Sequence, residues 1–331
     1  MKTINRKIVA AICSAAMMTG AAFAPSLGII KDTALTASAY SGYINGCHWE
    51  YEMDITGYAI TKCRNYQHLQ TVNIPSTING KPVIAIYDNA FINNSESCAQ
   101  YIKNLTMPNT IYKIGSNFFK NCDNLQSINL STSLITIGDY AFYDCDGLHS
   151  INFPDSVKQI GSYVCNWAWN MYDVTLGSGI EVIGANSFAR MRDLNNFNSN
   201  RSEMLWSVGT GVLTNSKWAN NRSEDEMRCI GKNNRVLLRY QRCNTNPTVQ
   251  LGSNVRILAD GAFNTANWNH GHWVRDIYCP RIEHIGNSVF GMVPNARVHL
   301  SGSLMYVHYG TNYNTSVPPL VAPATAYFDL P

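Results

Sequence analysis

Apolar positions recur along this chain on two interleaved beats. Within short runs such as Ile128-Asn129-Leu130 and Ile151-Asn152-Phe153 they alternate with asparagine, the period of a strand that buries one face and shows the other to water. Over longer distances an isoleucine-glycine pair returns at Gly115, Gly138, Gly161 and Gly184, each 23 residues after the last. A fixed period of about 20 to 29 residues is what one circuit of a solenoid takes: a short strand, a turn and a return segment. Four units line up on this beat, at 111–130, 134–153, 157–176 and 180–197, so that Phe119 coincides with Phe142, Cys122 with Cys145 and Leu125 with Leu148. A degenerate unit precedes them at 83–108, and two follow an interruption, at 255–280 and 282–300.

A three-residue strand cannot bury its inner face alone, but strands stacked coil on coil form a parallel sheet with Phe119, Phe142 and Phe188 filling the interior behind it. The glycine after each isoleucine is expected to supply a positive-φ corner, and Pro108 and Pro154 to end their strands. The predicted fold is a β-rich α/β solenoid, a right-handed coil with short parallel strands and about seven repeats. Residues 40–82 are expected to form a β cap over the first coil, because an open solenoid end exposes core and unpaired edge. Repeats occupy 83–197 and 255–300. Between them, 198–254 breaks the period and reads as an inserted β-hairpin built from the runs starting at Ser207 and Asn234, around a polar stretch at 220–226. After Leu300 the ladder is expected to stop, leaving 301–331 as a tail or cap.

The pattern Ile-Gly-x-x-Ala-Phe-x-x-Cys-x-x-Leu-x-x-Ile-x-Phe-Pro is intact from Ile137 to Pro154, and the lead-in Val72 to Phe91 reads VNIPSTINGKPVIAIYDNAF. Together they resemble the BspA-type leucine-rich repeats of bacterial secreted and surface proteins, over roughly residues 55–300. Val164-Cys165 departs from the pattern where Ala-Phe is expected, and Trp167 and Trp169 crowd the next turn. The resemblance implies extracellular recognition: adhesion, or display of a protein-binding surface, without catalysis.

The chain's first residues agree with export. Lys2, Arg6 and Lys7 precede an apolar, alanine-rich stretch from Ile8 to Ala24, the layout of a signal peptide. Of two small-x-small cleavage sites, Ala22-Phe23-Ala24 is followed directly by Pro25, which favours cutting after Ala37-Ser38-Ala39 and makes 1–39 the signal. Removing it takes away four basic residues and one acidic one, so the formal charge of +3 falls to zero. A balanced chain is a poor polyanion ligand, which argues against nucleic acid. No later apolar run is long enough to span a membrane as a helix. Of ten cysteines, nine follow the signal, an odd number that cannot all pair. Cys122 and Cys145, one period apart, should stack about 4.8 Å apart with parallel vectors, which is poor disulfide geometry, and read as small buried apolar residues. Cys47 with Cys63, and Cys229 with Cys243, are the better disulfide candidates.

Outward strand positions make one polar row whose centre is largely uncharged, with Asn129, Asn152, Asp173 and Thr175 as candidate ligand contacts. Such groups suit peptide backbone or sugar hydroxyls, although exposed strand faces must be polar for solubility in any case. Trp268, His270, His272 and Trp273 form a second candidate cluster that would stack a sugar ring. A His-x-His pair lacks the third and fourth ligands that zinc requires, so neither a metal nor a cofactor is expected. The partner is thus expected to be an extracellular protein or, alternatively, a glycan held by exposed tryptophans including Trp206 and Trp218. A cysteine hydrolase finds little support, because the cysteines belong to apolar ladder positions and buried thiols are inert.

Overall fold

The structure, a computed structural model, describes residues 40–54, 56–65, 67–92, 98–220, 227–240, 247–263, 274–290, 293, 296–300, 306–307 and 320–321. The expected signal segment and the Trp268–Trp273 cluster lie outside the described residues, as does Cys243.

Each coil contributes one strand to each of two parallel sheets. In the first, two-residue strands pair in strict register, so that Ile86, Ile114, Ile137, Ile160, Ile183 and Val208 stack side by side with their side chains buried. In the second, three-residue strands present their middle residue inward: Val72, Leu105 and Ile128 in one group, Ile151, Val174 and Phe197 in the next. Phe91, Phe119, Phe142, Cys165 and Phe188 fill the space between, all fully buried. Burying one such phenylalanine is worth roughly 1.5–3 kcal/mol. The irregular Val164-Cys165 pair is accommodated in this column, with both side chains at 0% exposure.

Coils are also stitched by carboxylates. Asp88, Asp139 and Asp260 each accept from a backbone N–H of the next coil, at Ser116, Ser162 and Asn287, all at 2.7 Å. Asp155 does the same for Ser178 at 2.9 Å, which holds the Asp155 carboxyl below the usual carboxylate range.

The glycines act differently from expectation. Gly115, Gly138, Gly161 and Gly184 do not have positive φ; that conformation falls on Asn117, Tyr140, Tyr163 and Asn186, with φ of 55–58°. The glycines are required by close approach, since a Cβ on Gly138 would lie 2.5 Å from the carbonyl carbon of Gly115 and from the N of Ser116. Backbone of the preceding coil occupies the place of a side chain.

At the amino-terminal end, Tyr40–Ile44, Cys47–Met53 and Tyr58–Arg64 form an antiparallel meander whose last strand pairs parallel with Lys81–Ile86. Asn45-Gly46, at φ 52° and 80°, makes the two-residue turn that tight hairpins favour. Trp49 is fully buried against Phe91, its ring 6.0 Å away, and so closes the first coil.

In the interrupted region the two runs expected to form a hairpin do not pair with each other. Ser207–Val208 instead extends the first sheet beside Val182–Ile183. Val236–Tyr240 pairs antiparallel with Met227–Ile230 and then parallel with Ile257–Leu258, so a hairpin starts a second ladder as the meander started the first. Leu237 and Tyr240 of this hairpin, with Val249, Phe263, Ile277 and Phe290, form a second core cluster, while its Ile230 and Val236 join the first. The ladder also continues past Leu300, because Tyr306–Val307 and Leu320–Val321 pair parallel with the coil before them. With these coils the solenoid has about nine turns rather than seven. The α component is almost absent: among the described residues one four-residue α-helix, Lys217–Asn220, accompanies two short 3-10 turns.

No disulfide joins Cys47, Cys63, Cys122, Cys145, Cys165 or Cys279 to one another. Cys122 and Cys145 are buried and unbridged, as their geometry requires. Cys47 and Cys63 are not bridged either; a hydrogen bond between their side chains lowers the Cys47 pKa.

Candidate functional site

Register turns the outer positions of the second sheet into two columns. The first holds Thr71, Asn104 and Ser127, then Ser150, Asp173 and Asn196, then Thr248, Asp276 and Arg297. The second holds Asn73, Thr106 and Asn129, then Asn152, Thr175 and Asn198, then Gln250, Tyr278 and His299. Each set of three lies in a separate sheet, the last of which also holds Leu320–Val321, so the row expected to be continuous is a ribbon in three segments. Asn152 and Thr175 are direct neighbours in register and Asp173 lies on the same strand, while Asn129 belongs to the preceding segment. Asn129 and Asn152 are exposed, Asp173 and Thr175 half-buried.

Electrostatics divide the ribbon. In the first two segments Asp173 is the single charge, and the side chains bond along the columns: Ser127 Oγ donates to Asn104 Oδ1 at 2.7 Å. The third segment is charged. Asp276 meets His299 Nε2 at 2.7 Å and Arg297 Nε at 3.3 Å, and these partners hold its carboxyl below the ordinary range, the hydrogen bond from His299 being the main cause. Tyr278 stacks on His299 with centroids 4.3 Å apart.

Trp268, His270, His272 and Trp273 lie outside the described residues. Trp206 and Trp218, expected to be exposed, are half-buried and pack against the main core. Among the described residues Trp169 is the exposed tryptophan, beside Trp167 at 5.6 Å, with Arg192 and Arg190 over the two rings. Asp123, Asp144 and Asp146 bring carboxylate oxygens within 4.8 Å of one another. Burial and the two neighbouring charges push the Asp144 pKa up, while Asp146 is engaged by the N–H of Trp169 at 2.7 Å. Their geometry serves the turn.

Sequence reasoning passed over Thr71, Asn73, Asn198, Thr248 and Gln250. Their signal was present, since Thr71-Val72-Asn73 alternates as Ser127-Ile128-Asn129 does.

Six copies of the BspA type leucine rich repeat region match residues 50–164 and 84–220, together just over half of the chain. The chain belongs to the BspA-type leucine-rich repeat family. No curated protein matches it. Among solved structures, this BspA-type chain is similar to the Treponema pallidum leucine rich repeat protein, at 21% identity over 73% of this chain and 85% of that one, TM-score 0.41. The pneumococcal vaccine antigen PcpA is 17% identical over 82% and 72%, TM-score 0.41. A leucine rich cell surface protein of Faecalibacterium prausnitzii is 16% identical over 82% and 77%, TM-score 0.37. Family membership rests on the repeats, not on these distant overlays. Among the described residues of this BspA-type protein, no helix is long and apolar enough to cross a membrane.

Proposed function

We propose that this BspA-type protein is a secreted or surface-displayed binding module that holds an extracellular protein through its polar ribbon, without catalysis. The observation that carries this reading is the register alignment of Asn, Ser and Thr side chains in two columns within each of the first two segments. Amide and hydroxyl groups at strand spacing match the carbonyls and N–H groups of a peptide chain, and asparagine offers both donor and acceptor. Asn129, Asn152, Asp173 and Thr175 are the contacts. The family membership supports the coarser role of protein interaction or adhesion. Thiol chemistry fits poorly, because burial pushes Cys145 and Cys165 well above the ordinary thiol range and Cys279 up to about 12, the reverse of an activated nucleophile.

The test is a panel of extracellular proteins beside a glycan array, probed with the native chain and with the paired substitution Asn129→Lys, Thr175→Lys. Protein binding weakened at least tenfold by the pair, with unchanged unfolding, supports the ribbon. Binding to glycans alone, lost on Trp268→Ala and Trp273→Ala, overturns it in favour of a carbohydrate-binding protein. Self-association with neither ligand points to a structural coat component.

A further inference from the structure

The first sheet ends at Ser207–Val208, and its end leaves a row of donors behind. In each turn from that of Asn117 onward three N–H groups, two residues apart, donate to three carbonyls of the following coil; in the last such pair Asn186, Phe188 and Arg190 donate to Thr210, Val212 and Thr214 at 2.8–2.9 Å. One coil on, the equivalent donors are the N–H groups of Gly211, Leu213 and Asn215. Among the described residues none of them has an acceptor. They line a cavity of about 530 Å³.

The facing wall is the hairpin that starts the second ladder. Arg228 and Arg239 sit directly opposite each other on its two strands and both line the cavity. Like charges so placed destabilise a hairpin. Asp260 is the single carboxylate among the described lining residues, and its Oδ1 is taken by the N–H of Asn287. Arg239 is partly buried, its Nε has no acceptor, and desolvation lowers its pKa. A cation withdrawn from water without a counter-charge is costly unless something supplies one. Trp218 and Leu238 add apolar surface beside it.

We propose that this cavity is a second binding site, distinct from the ribbon and independent of it, which takes an extended acidic peptide segment of a partner protein. The peptide's alternate carbonyls accept from Gly211, Leu213 and Asn215 as a further coil would, and a Glu or Asp carboxylate two-pronged on the guanidinium of Arg239 neutralises it. The carbonyls that the preceding turn's donors meet, at Thr210, Val212 and Thr214, follow one another two residues apart along a single chain. Sugar hydroxyls have no such repeat, which is why a peptide is preferred to an acidic glycan.

The probes are fluorescein-labelled acetyl-(Glu-Val)3-amide, its Gln-Val counterpart and oligogalacturonate, each titrated against the full chain. The acidic peptide is expected to bind at least tenfold more tightly than the Gln peptide, to lose about tenfold on Arg239→Gln, and to slow hydrogen exchange at the amides of 211, 213 and 215. If Arg239→Gln does not fold, amide protection in the native chain decides alone. Absent binding, equal binding of the two peptides, undiminished affinity of a folded Arg239→Gln, or oligogalacturonate bound with the three amides unprotected overturns the proposal.

Discussion

Replacing Gly138 by alanine adds a single methyl group, and the structure says where it must go. The new Cβ would lie 2.5 Å from the carbonyl carbon of Gly115 and from the N of Ser116, and 2.8 Å from the Gly115 oxygen. Optimal carbon contacts are about 3.5–4.0 Å, so the coils must part locally by roughly 1 Å. That parting stretches the bonds from Gly138 N to Ile114 O at 2.9 Å and from Asn117 N to Asp139 O at 2.8 Å beyond useful length. Overpacking costs about 1–3 kcal/mol and each lost hydrogen bond about 1 kcal/mol. Reduced freedom of the unfolded chain offsets about 0.4–1 kcal/mol. The net expectation is a loss of about 2–4 kcal/mol, read as a lower urea midpoint by circular dichroism. Gly42→Ala, whose Cβ would meet nothing within 4 Å, is the control and should stay within about 0.5 kcal/mol of native. Gly138→Asn separates the two reasons for a glycine, because asparagine tolerates positive φ but not a crowded Cβ. Close approach makes it at least as harmful as alanine. A neutral Gly138→Ala, or an asparagine that restores stability, would refute the reasoning.

Phe142→Ala should cost about 3–5 kcal/mol in the same unfolding assay, since the ring is fully buried between coils; a loss below 1 kcal/mol would contradict a packed column. Iodoacetamide at pH 8 should leave Cys122, Cys145 and Cys165 unlabelled in the native protein and label them after unfolding, as mass spectrometry of peptides will read, because all three are buried and burial keeps Cys145 and Cys165 protonated. Asp276 has a folded-state pKa below its ordinary 3.8, so its pairing with His299 and Arg297 stabilises the fold above that value and is lost as pH falls through the folded pKa. Asp276→Asn should therefore flatten stability against pH on the acid side only, which thermal unfolding between pH 2 and 6 will show.

The ladder was legible because its physics is local and repeated. An inward isoleucine, a buried phenylalanine and an alternating Ser-Ile-Asn strand each leave a mark every 23 residues. The glycine column was placed correctly but explained wrongly, since spacing reveals that a small residue is needed without revealing whether φ or a neighbouring backbone needs it. Ser207–Val208 was assigned to a hairpin because the period failed there, yet a two-residue strand needs only Val208 to keep its place against Ile183. Val236–Tyr240 looked like one arm of an insert and is also the first strand of a new ladder, a distinction that depends on its parallel partner Ile257–Leu258, about 20 residues away. The ribbon's residues were readable strand by strand. Its division into three segments and the unpaired donors at Gly211, Leu213 and Asn215 were not, because both arise from which coil fails to pair with the next.

Site-specific photocrosslinking tests the binding role of the ribbon most directly. A benzoylphenylalanine placed in turn at Asn129, Asn152 and Thr175, and for comparison at Lys113 and Gln159 on the opposite sheet, is irradiated with a protein recovered from the extracellular panel. Adducts at the first three positions and none at the other two are the expected result. Equal yields on both sheets, or adducts confined to Lys113 and Gln159, would contradict a ribbon that grips its partner.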